Sequence, residues 1–223
     1  AVWVAHPGWG GTSSATPAVA GEAALMLEVN PALGVRDVKS ILAMSATYYK
    51  TSTPLASFEM NAANTLNGSG MHYSNDVGFG TSNVYNAVRL SKDWLRQGVA
   101  QTMANWVTTT SVVATTGAAI NASTGNITTV QIQVTDDVQL EALQVINTLK
   151  TDSFSKLRIW VTSPSGTISE LTRSSTVGAY DAVLEMSSNK FFGESSKGMW
   201  TVSYEFTQDV ANSGLVSDLS LRL

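Results

Sequence analysis

From Ser13 to Val29 the chain is apolar on nearly every side, with Val19, Leu25, Leu27 and Val29 set among Ala15, Ala18, Ala20, Gly21 and Ala24. A run with no polar face predicts a buried helix. Asn30-Pro31 should end it, because the residue before a proline is pushed out of the helical region. Val35, Val38, Ile41 and Leu42 then share one face of a second predicted helix, Val35 to Met44, opposite Arg36, Asp37, Lys39 and Ser40. A loop rich in Gly, Asn and Ser follows, from Asn61 to Gly80. A third helix is predicted from Asn83 to Arg96, with Val84, Val88, Leu90 and Leu95 as anchors, Asn83 as N-cap and Gly98 as its stop.

Beyond Trp106 the texture changes to Thr/Val/Ile-rich runs separated by turn residues, the pattern of a β-sandwich. Strands are predicted at Val107 to Thr116, Ile127 to Val134, Leu143 to Leu149 and Leu157 to Ser163. Four more follow at Thr167 to Thr172, Asp181 to Met186, Gly198 to Phe206 and Leu215 to Leu223. Ser163-Pro164-Ser165-Gly166-Thr167 has Pro and Gly where a tight reversal needs them. No repeat of solenoid or propeller length is present.

The 223 residues allow one large domain or two modest ones. Only 13% are charged, and Ser and Thr fill nearly a quarter of the chain, so hydroxyls cover much of the surface. A net charge of −4 with no adjacent Lys or Arg excludes a nucleic-acid footprint. With no Cys, disulfides, thiolate catalysis and thiolate metal sites are excluded together. Ala18 to Val29, broken by Glu22 and Glu28, is too short for a membrane span. Ala1-Val2-Trp3-Val4 lacks the basic and long apolar regions of a signal peptide, and the opening reads as that of a fragment or a processed product.

The chemically richest stretch is Gly10-Gly11-Thr12-Ser13-Ser14-Ala15-Thr16-Pro17-Ala18-Val19-Ala20-Gly21. Two glycines permit a tight turn, and a serine then opens an apolar helix, where outward-pointing N–H groups stabilise developing negative charge. A nucleophile so placed draws part of an oxyanion hole from its own N–H. Pro17 is expected in the first turn, where its missing N–H breaks no helical bond. The plainer alternative is that Ser13 only caps the helix.

Gly-Thr-Ser-x-Ala-x-Pro-x-Val-Ala-Gly, then Ala24-Leu25 and Asn30-Pro31, resembles the nucleophile region of subtilisin-like serine peptidases. The resemblance continues through Gly78-Phe79-Gly80, Asn83-Val84, Ala87-Val88 and Trp94, similar to the end of kexin-like catalytic domains, with Asn83 where that family has Asp. Leu157 to Thr167, Asp181, Phe192-Gly193-Glu194, Gly198-x-Trp200-Thr201 and Gly214 resemble the P-domain of kexin and the proprotein convertases. Lys156 departs from the Asp common there.

The resemblance implies an α/β C-terminal segment of a catalytic domain over residues 1–97, a linker at 98–106, and a jelly-roll P-domain over 107–223. It implies a secreted serine endopeptidase acting on protein or peptide substrates, with Ser13 as nucleophile. The family order is Asp, His, then Ser, with an oxyanion Asn before the Ser. Only twelve residues precede Ser13, so those three partners are expected on an N-terminal part of the catalytic domain, and the chain alone is expected to be inactive. The alternative is a non-catalytic binding or structural module.

The remaining candidates read as ordinary structure. His6 and His72 are the only histidines and are read as surface or loop residues. Ca²⁺ is implied by the resemblance, with Asp136, Asp137, Asp181, Glu194 and Asp209 as candidate oxygen ligands, although no EF-hand spacing is present. Asn67-Gly68-Ser69, Asn121-Ala122-Ser123 and Asn126-Ile127-Thr128 have the form of glycosylation acceptors at a frequency chance supplies. Trp106, Trp160, Trp200, Phe191 and Phe192 are expected to fill a sandwich core.

Overall fold

The computed structural model describes residues 11–47, 66–74, 77–94, 117–172 and 175–223. These fall into two compact units. Residues 11–47 and 79–94 form the first, and residues 66–74, 77–78, 117–172 and 175–223 the second. The expected Val107–Thr116 strand, Leu95, Gly98, Trp106 and His6 lie outside the described residues.

The first unit holds α1 (Thr12–Val29), α2 (Val35–Ser45) and α3 (Val84–Asp93). Asn30 caps the end of α1, as the Asn-Pro step requires, its N–H donating to Met26 O at 3.0 Å. Its carboxamide Nδ2 donates to Ser91 O on α3 at 2.8 Å. Asn83 caps α3 by accepting the Asn86 N–H at 3.0 Å. Asp37, at the start of α2, accepts the Gly34 N–H at 2.7 Å and the Trp94 indole N–H at 2.9 Å. Met26, Leu33, Ile41 and Ala87 form the core of this unit, with Val38, Leu42, Leu90 and Trp94 against it.

The expectation that α1 is buried is corrected by the structure. Of its residues only Glu22 and Met26 are buried, while Leu25, Leu27 and Val29 are 46%, 40% and 38% exposed. An all-round apolar helix needs cover on every side, and among the described residues it meets cover on one.

The second unit is an antiparallel sandwich of β1 (Ala118–Ile120), β2 (Thr128–Val134), β3 (Leu143–Thr151), β4 (Leu157–Thr162), β5 (Ile168–Glu170), β6 (Tyr180–Ser188), β7 (Gly198–Phe206) and β8 (Gly214–Arg222). One sheet has the order β1-β8-β3-β6 and the other β2-β7-β4-β5, the jelly-roll arrangement of two interleaved four-stranded sheets. Alternation builds the core: Trp200, Val202, Tyr204 and Phe206 of β7 face Leu143, Val145 and Leu149 of β3 and their neighbours in one buried cluster. In β8 the inward positions step from Val216 to Leu219. The register against β3 shifts between Thr148 and Leu149, and this bulge turns Leu219 and Leu221 back to the core.

The single expected boundary at 98–106 leaves residues 66–78 in the first part. The structure instead bonds residues 67–69 to the sandwich. Gly68 N–H donates to Glu194 Oε1 at 2.7 Å, and Asn67 Nδ2 donates to Lys190 O and Phe192 O, each at 2.9 Å. A loop rich in Gly and Asn has few side chains of its own to bury, and its backbone and amide groups find their partners on the neighbouring sheet.

Candidate active site

Ser13 lies at the second position of α1. The cap is Gly11, with φ +76° and ψ −169°, backbone angles that only glycine adopts without strain. Its carbonyl receives the N–H groups of Ser14 and Ala15, both at 3.2 Å. Ser13 is exposed, and neither its hydroxyl nor its N–H has a partner among the described residues. The reading of Ser13 as a capping side chain is therefore replaced: the turn is made by Gly11, and the serine is left free to do something else.

The position is electrostatically suited to a nucleophile that becomes an acyl oxygen beside a negatively charged intermediate. The first-turn N–H groups of an 18-residue helix carry partial positive charge that no intrahelical carbonyl neutralises. Pro17 stands in the second turn and not in the first as expected, so the helical bond it removes is the one that would have reached Ser13 O.

Two contacts tie this helix to α3 and its approach. The Ser82 hydroxyl donates to Glu22 Oε2, and Asn30 holds Ser91 O. Glu22 is 1% exposed and its Oε1 has no partner among the described residues, so among these Ser82 alone satisfies a buried carboxyl group. Neither residue stood out in the sequence. A glutamate inside an otherwise apolar helix was the available signal.

The described residues of the first unit include no histidine. His72 belongs to the second unit, bridged to Leu66. Four of the five carboxylates considered for Ca²⁺ are engaged with other groups. Asp137 accepts the Ser195 hydroxyl at 2.6 Å, Asp181 pairs with Lys150 at 3.0 Å, and Asp209 accepts the Thr124 N–H at 2.7 Å. Glu194 is taken up by Gly68, Ser165 and Thr167. Among the described residues no three acidic or histidine side chains gather into a group that could hold a metal ion.

Asn67 is buried with both amide hydrogens donated, which closes it as a glycan acceptor in this fold. Phe191 and Trp200 are wholly buried and meet edge to face at 5.1 Å, as core aromatics do. Trp160 is half-buried beneath the Arg158 guanidinium, 5.3 Å from its ring.

A helix begun at a glycine with its serine exposed, followed by a jelly-roll, has counterparts among known proteins. Residues 6–80 match the subtilase family, and residues 140–223 match the proprotein convertase P-domain. In this order of segments, subtilase and then P-domain, the chain resembles subtilisin-like serine peptidases of the kexin type. It is 31% identical to the Aeromonas extracellular serine protease of Aeromonas sobria, over 91% of this chain and 36% of that protein. Over 38% of the chain it is 38% identical to human proprotein convertase subtilisin/kexin type 7, covering 10% of that protein. The crystal structure of the serine protease of Aeromonas sobria superposes with a TM-score of 0.75 at 26% identity, covering 95% of this chain and 44% of that one. The same protease is also known in complex with the chaperone ORF2. The chain thus spans less than half the length of these relatives. No helix among the described residues is long and apolar enough to cross a membrane.

Proposed function

We propose that this chain carries the nucleophile of a secreted serine endopeptidase of the subtilisin/kexin type. Ser13 attacks the scissile carbonyl, and its own N–H donates to the oxyanion. The observation behind this is the placement of Ser13: exposed at the second position of a helix whose turn is made by Gly11, within the subtilase match. The name of the Aeromonas sobria relative, an extracellular serine protease, supports both the chemistry and the secretion.

A lone serine hydroxyl is a weak nucleophile at neutral pH and needs a base. The general base, its orienting carboxylate and an oxyanion amide come from peptidase-domain sequence outside these 223 residues. That sequence covers apolar surface that Leu25, Leu27 and Val29 leave exposed on α1. Protein or peptide chains are the substrates.

A fluorophosphonate probe tests the reading. Labelling of Ser13 when the chain is joined to an Asp- and His-bearing subtilase segment, and its loss in Ser13→Ala, is the expected result. Absence of labelling in every such pairing favours the alternative, a non-catalytic module.

A further inference from the structure

The Asn67-Gly68-Ser69-Gly70 turn is built into the sandwich by nearly every polar atom it has. Gly68 N–H donates to Glu194 Oε1 at 2.7 Å and lies 2.9 Å from Thr167 Oγ1. The same carboxylate accepts the Thr167 hydroxyl at 2.5 Å and the Ser165 hydroxyl at 2.6 Å. Asn67 Nδ2 gives its two hydrogens to Lys190 O and Phe192 O. Asn67 Oδ1 accepts the Ser69 N–H at 3.1 Å and the Met71 N–H at 2.8 Å, with the Ser69 hydroxyl 2.8 Å away. The fit is close: a Cβ on Gly68 would stand 2.2 Å from Ser165 Oγ, and one on Gly193 2.8 Å from Ser69 Oγ.

Asn67-Gly68 is also the single Asn-Gly pair in the sequence. In such a pair the backbone nitrogen of the second residue reaches the side-chain carbonyl carbon of the first with no Cβ in the way. Gly68 N loses its proton to hydroxide and attacks Asn67 Cγ. The N–Cγ bond forms, the Cγ–Nδ2 bond breaks, and Nδ2 leaves as ammonia after taking a proton from water. Water then opens the five-membered imide at either carbonyl, giving an aspartyl or isoaspartyl residue.

Docking opposes each step. The Glu194 carboxylate holds the Gly68 proton by a charge-assisted bond and stands against an anion forming there. The carbonyls of Lys190 and Phe192 hold the leaving amide, and the donors on Oδ1 fix the carbonyl group in place. We propose that Asn67 is a latent deamidation site, protected while the turn is docked, and that deamidation after release makes the release permanent. The carboxylate formed at position 67 would face the Lys190 and Phe192 carbonyls with no hydrogen to offer.

The test uses the full 223-residue chain at mildly alkaline pH, with peptide mapping and isoaspartyl-specific methylation to follow position 67. Conversion in the native chain is expected to be far slower than in the urea-unfolded chain. Glu194→Ala, which removes a hydrogen bond to a charged group, is expected to speed it roughly ten- to hundredfold, while hydrogen exchange shows β4 and β7 still protected. Equal rates in native and unfolded chains overturn the proposal. So does a Glu194→Ala chain with an intact sandwich and no acceleration. If Glu194→Ala unfolds the sandwich, Thr167→Val carries the same comparison. For the second half, Asn67→Asp should lose exchange protection at the Gly68 and Met71 amides while the strands keep theirs, and retained protection there overturns it.

Discussion

Pro17 stands four residues after Ser13 in one helix, so the Ser13 carbonyl is denied the N–H that an ordinary helix would bring to it. The first turn is correspondingly less bound than the rest of α1, and Thr16 turns its hydroxyl back to Thr12 O at 2.8 Å beside it. Replacing Pro17 by Ala restores the bond. Because a proline inside a helix costs up to about 3 kcal/mol, Pro17→Ala is expected to raise stability by about 1–3 kcal/mol. Thermal unfolding reads the gain. A neutral or negative change would mean the turn is set from elsewhere.

Gly11 governs the same turn from the other side. Its φ of +76° with ψ near −169° suits glycine alone, and a Cβ there would meet no atom within 4 Å. Gly11→Ala therefore tests backbone strain without steric clash. A loss of about 1–3 kcal/mol is expected, together with loss of fluorophosphonate labelling at Ser13 in the assembled peptidase. A chain that keeps both would show the cap to be free to change its angles.

What was legible in the sequence was local. Asn30-Pro31 ends α1 and Asn83 caps α3 because both signals act within a few residues. Strand β7 runs from Gly198 to Phe206 as predicted, with Trp200, Val202, Tyr204 and Phe206 all buried. Three residues of Ala-Ala-Ile carried too little pattern to announce β1. The apolar run of α1 told what that helix is suited to pack against, not what covers it among the described residues. Most opaque was the seat of Asn67. Glu194 lies 126 positions beyond Gly68, and a glycine-rich loop reads as solvated unless its distant partners are known. The start of α1 was legible because two glycines, a serine and an apolar helix form one contiguous signal, although the place of Ser13 at the second helical position was not.

Ser82 is an exposed residue with an uncommon task. Among the described residues its hydroxyl is the one partner of the buried Glu22 carboxyl, whose other oxygen has none there. Substituting an exposed serine ordinarily changes stability little. Ser82→Ala is expected instead to cost about 1–3 kcal/mol by leaving a buried acceptor unpaired, and Ser82→Thr should recover most of the loss. Urea midpoints of the three chains decide it. An alanine variant indistinguishable from the parent would mean that water replaces the hydroxyl.

In the sandwich, Asn147 and Tyr204 place polar atoms where the two sheets pack. Tyr204 is fully buried, Asn147 is 1% exposed, and among the described residues neither the phenol oxygen nor either amide atom closes a hydrogen bond of good geometry. Burial pushes the Tyr204 phenol well above its ordinary value near 10.0, an effect the neighbouring Asn147 side chain offsets only in part. As pH climbs past that ordinary value, the unfolded chain releases the Tyr204 proton while the folded chain keeps it. The folded state then binds more protons, so stability falls as pH rises, being fully present below pH about 10 and lost progressively above it. Tyr204→Phe removes the titrating group. At neutral pH the substitution should change stability by less than about 1 kcal/mol, because the hydroxyl it deletes closes no well-formed hydrogen bond among the described residues. Urea midpoints followed from neutral into alkaline pH should drop less steeply in Tyr204→Phe than in the parent. Parallel curves for the two chains would place the alkaline loss on other tyrosines.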